Sequence, residues 1–225
     1  MTTLNLLSAG AAQGLVKALE ARFAAETGAT LNARFGAVGA MKELLDGGAP
    51  CDVIMLTAKM IGDLGLAGTA LGRVRTGVAV KAGHAKPDVG TPDALRAALL
   101  AADGVYFPDP ERATAGIHFA GVMQHLGVNE ALRPHWRTFP NGATAMRELA
   151  AAGSARPIGC TQVTEIRYTP GVELVGLLPR EFELATVYTA APAKAAADPA
   201  LAARFVALLA GADTQALRAQ GGFED

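Results

Sequence analysis

The chain is short of cysteine and of aromatic residues, and neither sign of charge is in surplus. Its 225 residues include only Cys51 and Cys160, far apart and without the paired spacing of a zinc site. Neither a metal nor another cofactor is therefore expected, and one structural disulfide is left open. Lys and Arg total 20 against 21 Asp and Glu, so the basic excess that nucleic-acid or anionic-membrane binding leaves is missing. No nucleic-acid partner is expected, and any anion site has to be local. No apolar run approaches the roughly 20 residues a membrane helix needs, so the expectation is a soluble protein without membrane insertion. There is no Gly-x-Ser-x-Gly elbow, P-loop or zincin histidine pair, which leaves hydrolase, nucleotide and metalloprotease readings without support. No basic segment followed by an apolar one trails Met1. The expected location is the cytoplasm if Met1 is the native start and the periplasm if a leader has been removed.

What is present is an alternation of short apolar runs and amphipathic stretches, with 51% hydrophobic and 18% charged residues overall. Leu4–Leu7 predicts a strand, followed by the small residues Ser8 to Gly14, a helix bearing Leu15, Val16, Leu19 and Phe23, and a stop at Gly28. Leu31, Ala33 and Phe35 alternate as a strand before a turn at Gly36–Gly39 and a helix with Met41, Leu44 and Leu45. Cys51–Leu56 is the third strand and Val78–Val80 a short one. Thr91-Pro-Asp predicts a capped helix start, with Leu95, Leu99 and Leu100 packed inward. Val105 to His118 predicts strand, loop and helix start, with Thr114 as cap and Ile117, Val122, Met123 and Leu126 on the apolar face. Asn141 caps a helix with Met146 and Leu149, Pro157–Cys160 is a buried strand with polar residues turning after it, and Asp198-Pro199 opens a helix with Leu201, Phe205, Leu208 and Leu209. Ala190–Ala197 is expected to be a loop entering that helix. The pattern predicts an α/β architecture with mainly parallel sheets, whose ligands bind beyond the carboxyl ends of strands.

A helix start exposes unpaired N–H groups and the positive end of its dipole, so the segment from Asp109 to Gly116 is a candidate anion site, with Arg112 and Thr114 beside it. Gly10, Gly39, Thr57, Thr114 and Cys160 each follow a predicted strand or its turn and are candidates to converge on one crevice.

Three motifs carry a resemblance. Gly47-Gly-Ala-Pro-Cys-Asp-Val53, Asp109-Pro-Glu-Arg-Ala-Thr-Ala-Gly116 and Gly221-Gly-Phe223 lie in the order and at the spacing of motifs in the molybdate-binding family of periplasmic solute-binding proteins, and the sequence resembles that family over nearly its whole length. The resemblance implies a two-lobed type II periplasmic-binding-protein fold, each lobe a mainly parallel sheet flanked by helices, with the ligand in a cleft between them. It implies a first lobe of residues 1–78 plus 188–225, a second of 79–187, and hinge crossings near 76–80 and 185–190.

The ligand positions depart from that family. Where it has a serine after the first strand stands Gly10, with Ser8 two residues earlier; the Gly36–Gly39 turn, with Val38, lacks a hydroxyl; and Cys160 aligns with its tyrosine. These changes favour a small organic di- or tricarboxylate over molybdate as the anionic ligand. Arg112 is expected to grip a carboxylate in bidentate fashion, with donors from Thr114 and Ala115. Thr57, Thr76, Asn141, Thr144, Thr161 and Gln162 are further polar candidates at turns. If the protein is exported, the resemblance implies a transporter permease as partner. The alternative is an isomerase of a small unsaturated tricarboxylate such as aconitate, working by proton abstraction and return, with Cys160, His118 and Glu165 as acid or base candidates.

Overall fold

A computed structural model describes residues 2–225. The chain divides into two compact units, Met1–Val74 with Thr186–Asp225, and Arg75–Ala185. The first crossing falls inside a strand, just before the expected 76–80, and the second at the start of one, within the expected 185–190.

Unit 1 begins with β1 (Thr3–Ala9), a turn of 3-10 helix at Gly10–Ala12, α1 (Gln13–Thr27), β2 (Thr30–Gly36), α2 (Val38–Asp46), β3 (Val53–Thr57), α3 (Ala58–Asp63) and the first part of β4 (Thr69–Lys81). β1 lies between β2 and β3, parallel to both. A central strand is covered on both faces, which is why Leu4 and the run Leu6 to Ala9 are all buried. α1 buries Leu15, Val16, Leu19 and Phe23, and Gly28 ends it in the left-handed region at φ 69°, a conformation open to glycine without steric cost. The short strand expected at Val78–Val80 is one end of β4, thirteen residues long.

Unit 2 continues β4 and adds α4 (Pro92–Ala101), β5 (Gly104–Pro108), α5 (Thr114–His125), α6 (Asn129–Leu132), β6 (Trp136–Phe139), α7 (Gly142–Ala151), β7 (Pro157–Gln162), α8 (Val163–Tyr168) and β8 (Val172–Leu177). β5 sits between β6 and β7, parallel to both, while β4 runs antiparallel to β7 and β8. The sheet is thus mixed, its antiparallel part contributed by the strands that return the chain. All six residues of β7 are buried. One face of the sheet packs Val78, Phe107, Ile158 and Cys160 against Leu95 and Leu99 of α4 and Phe119, Val122 and Met123 of α5. Phe107 meets Phe119 and Trp136 edge-on, with ring centroids 5.6 and 5.0 Å away. The opposite face packs Ala79 against Met146, Leu149 and Ile166.

Two apolar stripes are narrower than their periodicity predicts. Leu100 of α4 and Ile117 of α5 are 43% and 50% exposed, because each helix turns only part of its apolar face to the sheet. Thr161 and Gln162, expected in a turn, complete β7. The chain returns to unit 1 through β9 (Ala185–Pro192), antiparallel to β3, then α9 (Pro199–Ala210) and α10 (Gln215–Gly221). The loop expected from Ala190 therefore begins only after Pro192. Asp52 ties this unit together: its carboxylate accepts the Asn5 N–H at 2.7 Å, the Asn5 amide at 3.1 Å and the Ala197 N–H at 2.7 Å. Phe23 and Phe205 pack edge-on at 4.8 Å, and Phe223 of the closing motif is buried in the same core. Among the described residues no single helix is long and apolar enough to cross a membrane.

Candidate functional site

Seven of the helix starts fall into two groups. α3, α4, α7 and α9 are capped by side chains: Thr57, Thr91, Asn141 and Asp198 accept N–H groups from Met60, Ala94, Thr144 and Leu201. α1, α2 and α5 have alanines at the cap position, Ala12, Ala37 and Ala113, and no side-chain cap. All three follow the carboxyl end of a strand, the first across the Gly10 turn and the second with Val38 as its first residue and the half-buried Gly39 as its second. An uncapped start leaves backbone N–H groups for a ligand or solvent and adds the favourable end of the helix dipole.

The loop before α5 is built by Asp109. Its N–H donates to the Phe139 carbonyl at 2.7 Å, its side chain accepts the N–H groups of Glu111 at 2.7 Å and Arg112 at 3.1 Å, and its carbonyl accepts the Ala113 N–H at 3.1 Å. This Asx turn commits both side-chain acceptor bonds locally and delivers the chain directly into α5. Gly116 permits the close approach, since a Cβ there would collide with the carbonyl oxygens of Pro108 and Asp109. Thr114, expected as the cap, is instead the first helical residue because the Asp109 turn has already set Ala113 at the cap. Ala115 and Gly116 are buried, Thr114 is half-buried and Arg112 is exposed.

Topology brings two further residues to this helix start. β5 and β7 are parallel, so their carboxyl ends lie at one edge of the sheet, the edge where α5 begins. Side chains alternate along β7, so Gln162 shares a face with Ile158 and Cys160, the face that α5 covers. Thr76 on β4 is the register partner of Gln162. Gln162 is 3% exposed and Thr76 1%, yet the Gln162 amide oxygen and nitrogen and the Thr76 hydroxyl have no hydrogen-bond partner within the protein. Buried polar atoms are nearly always satisfied, so these three unpaired atoms at the carboxyl end of β7 are candidates to meet a ligand. Gln162 was only a subsidiary candidate from sequence; the alternation Ile158, Cys160, Gln162 is the signal that puts it on the α5 face.

The start of α7 is occupied from within. The Glu165 carboxyl accepts the Thr161 hydroxyl at 2.5 Å and the backbone N–H groups of Gly142 and Ala143. A Cβ on Gly142 would land on Glu165 Oε2 and Thr161 Oγ1. Asn141 caps the same helix, and the Thr144 hydroxyl accepts a bond from Arg147 at 2.9 Å. Burial pushes the Glu165 carboxyl above its ordinary range, against the pull of these donors. Glu165, an acid or base candidate from the sequence, is therefore buried and bonded at this helix start.

Other candidates are committed elsewhere. Cys160 is fully buried in the core, where burial raises its thiol well above the usual range; it neither lines a ligand wall nor suits proton transfer. His118 Nε2 bonds the Phe182 carbonyl at 2.8 Å and anchors that segment. In unit 1 the Ser8 hydroxyl is buried and donates to the Ala9 carbonyl at 2.9 Å, while Thr57 caps α3. Among the described residues no group of three or more His, Cys, Asp or Glu could hold a metal ion.

Strands and helices alternating through both units, with helices starting where strands end, form the mixed α/β fold of type II periplasmic binding proteins, and the match spans the whole chain. The Azotobacter vinelandii periplasmic molybdate-binding protein shares it at a TM-score of 0.78 and 20% identity, over 99% of each chain. PEB3 with bound L-phospholactate shares it at a TM-score of 0.70 and 14% identity, again over 99% of each. The profile of the bacterial extracellular solute-binding proteins matches residues 4–224, and the chain belongs to that family. It is also 25% identical over 226 residues to an aconitate isomerase from a Pseudomonas species, covering 95% of this chain and 84% of that protein.

Proposed function

We propose that this solute-binding protein takes a small organic di- or tricarboxylate rather than molybdate, and that delivery of this acid to a membrane transporter is its role. The observation that carries the reading is the buried, unpartnered pair Gln162 and Thr76 at the edge where the uncapped α5 begins. One carboxylate would accept the N–H groups of Thr114 and Ala115, with Arg112 adding charge, and the amide and hydroxyl would meet the remainder of the ligand. The uncapped starts at Gly10 and at Val38 and Gly39 are the corresponding candidates in unit 1. Molybdate is disfavoured because Gly10 and the Gly36–Gly39 turn offer no hydroxyl. The L-phospholactate in PEB3 supports the view that this fold accommodates organic acids.

Thermal-shift measurements with molybdate, tungstate, sulfate and phosphate against citrate, cis- and trans-aconitate, malate and succinate test the proposal. A carboxylate at about 100 times its Kd adds roughly 2.7 kcal/mol of stability. Arg112→Ala should lose most of that response. A response to molybdate alone would refute the carboxylate reading.

The aconitate isomerase relative favours a second reading, isomerisation of an unsaturated tricarboxylate on the same scaffold. Of the three acid or base candidates, Glu165 alone combines a carboxyl with a raised affinity for its proton, so proton transfer would rest on it. Proton spectra of cis-aconitate incubated with the protein separate the readings: a new isomer means an enzyme, an unchanged spectrum a binder.

A further inference from the structure

The chemistry of the Gln162 and Thr76 pair narrows the ligand further. As register partners on β7 and β4, the two residues rise from the same face of the sheet. They do not bond each other, and the next residues along that face, Val78 and Cys160, are apolar core. The amide presents two N–H donors and one carbonyl acceptor, and the threonine hydroxyl both donates and accepts. A fully deprotonated oxyanion such as molybdate or sulfate, like an unsubstituted carboxylate, brings acceptors only. It would satisfy the amide N–H groups and the hydroxyl but leave the Gln162 carbonyl oxygen buried and unpaired, whichever way the amide is turned. A ligand with its own O–H closes that account by donating to the carbonyl oxygen and accepting from Thr76.

We infer that the ligand is a hydroxycarboxylate whose carboxylate meets the α5 start and whose hydroxyl is read by Gln162 and Thr76. This rests on the carboxylate reading above and names the subclass of acid that the same site selects.

Isothermal titration calorimetry on the full chain with matched acids tests it: malate against succinate, citrate against propane-1,2,3-tricarboxylate, and lactate against propionate. Each pair differs by one hydroxyl. At least one hydroxy acid should bind about tenfold or more tightly than its partner, because a site built to bond a hydroxyl rejects the analogue lacking it. In Gln162→Met that ratio should collapse toward one; Thr76→Val provides the same test if the methionine variant does not fold. Equal affinities within every pair that binds would overturn the hydroxyl inference and leave the carboxylate reading standing. Failure of all six acids to bind would overturn the hydroxyl inference, and with no response to either aconitate in the thermal-shift panel it would overturn the carboxylate reading as well.

Discussion

Replacing Gly142 with alanine tests whether the Glu165 carboxyl occupies the start of α7. Glu165 is 6% exposed and accepts the Thr161 hydroxyl and the N–H groups of Gly142 and Ala143. The new methyl would fall on Glu165 Oε2 and Thr161 Oγ1, and α7 is itself pinned by Ala145, Met146 and Leu149 in the core. The carboxyl must therefore leave its donors. Leaving a buried, formerly bonded carboxyl without its donors costs about 1–3 kcal/mol. For a chain of this size each kcal/mol moves Tm by about 2–4 °C, so calorimetry should record a fall of roughly 2–12 °C. Combining Gly142→Ala with Glu165→Ala should cost about 1–3 kcal/mol less than the sum of the single changes, since both act on one contact. The pH dependence has a definite sign. Because burial raises the Glu165 pKa above its ordinary 4.5, the folded state holds the proton more tightly than the unfolded one. That contribution is complete below the ordinary value and is lost as pH rises through the raised one. The stability of Glu165→Gln relative to the wild type should therefore climb as pH increases from 4.5. A Gly142→Ala protein melting within about 1 °C of the wild type would refute the placement of the carboxyl.

Two further outcomes follow from buried polar groups. Gln162→Met should raise the stability of the ligand-free protein by about 1 kcal/mol, because it removes a desolvated amide without a partner; chemical denaturation checks this, and a loss of similar size would mean that the amide is bonded within the fold. Asp52→Ala should cost about 2–4 kcal/mol at neutral pH by releasing Asn5 and Ala197. Burial pushes the Asp52 carboxyl up, but the Asn5 and Ala197 N–H groups and the Asn5 amide together hold it below its ordinary 3.8. Its stabilisation is thus present above that value and lost as pH falls through the depressed one, so denaturation curves of variant and wild type should converge in acid.

The features legible in the sequence are those fixed by near neighbours. Thr91 and Asn141 cap the helices they were expected to cap, and Asp198 caps the one it was expected to open, because a cap bonds an N–H three residues on. The family motifs carried the overall fold, since each supplies a local turn or anchor that the fold reuses. β4 was legible only at one end: its earlier residues, Thr69 to Arg75, bury only Leu71 and Val74 and include Gly72 at φ 135°, so they show no clean alternation. β8 was missed because all six of its residues are half-buried, leaving no periodic contrast.

The candidate site divides along the same line. Asp109 to Gly116 was recognisable as a helix start from its own residues, although the choice of Ala113 over Thr114 as cap depended on the Asp109 turn and the space at Gly116. Cys160 and Gln162 part company on folding: strand alternation places both on the α5 face, but the core closes over Cys160, while Gln162 ends β7 with its amide unpaired. Residue types and short-range spacing thus settled the helix starts, the caps and the family. The pairing of Gln162 with Thr76, the withdrawal of Glu165 into the start of α7 and the burial of Cys160 belong to tertiary structure alone, because strand register and the packing of helix on sheet join residues that are distant in the chain.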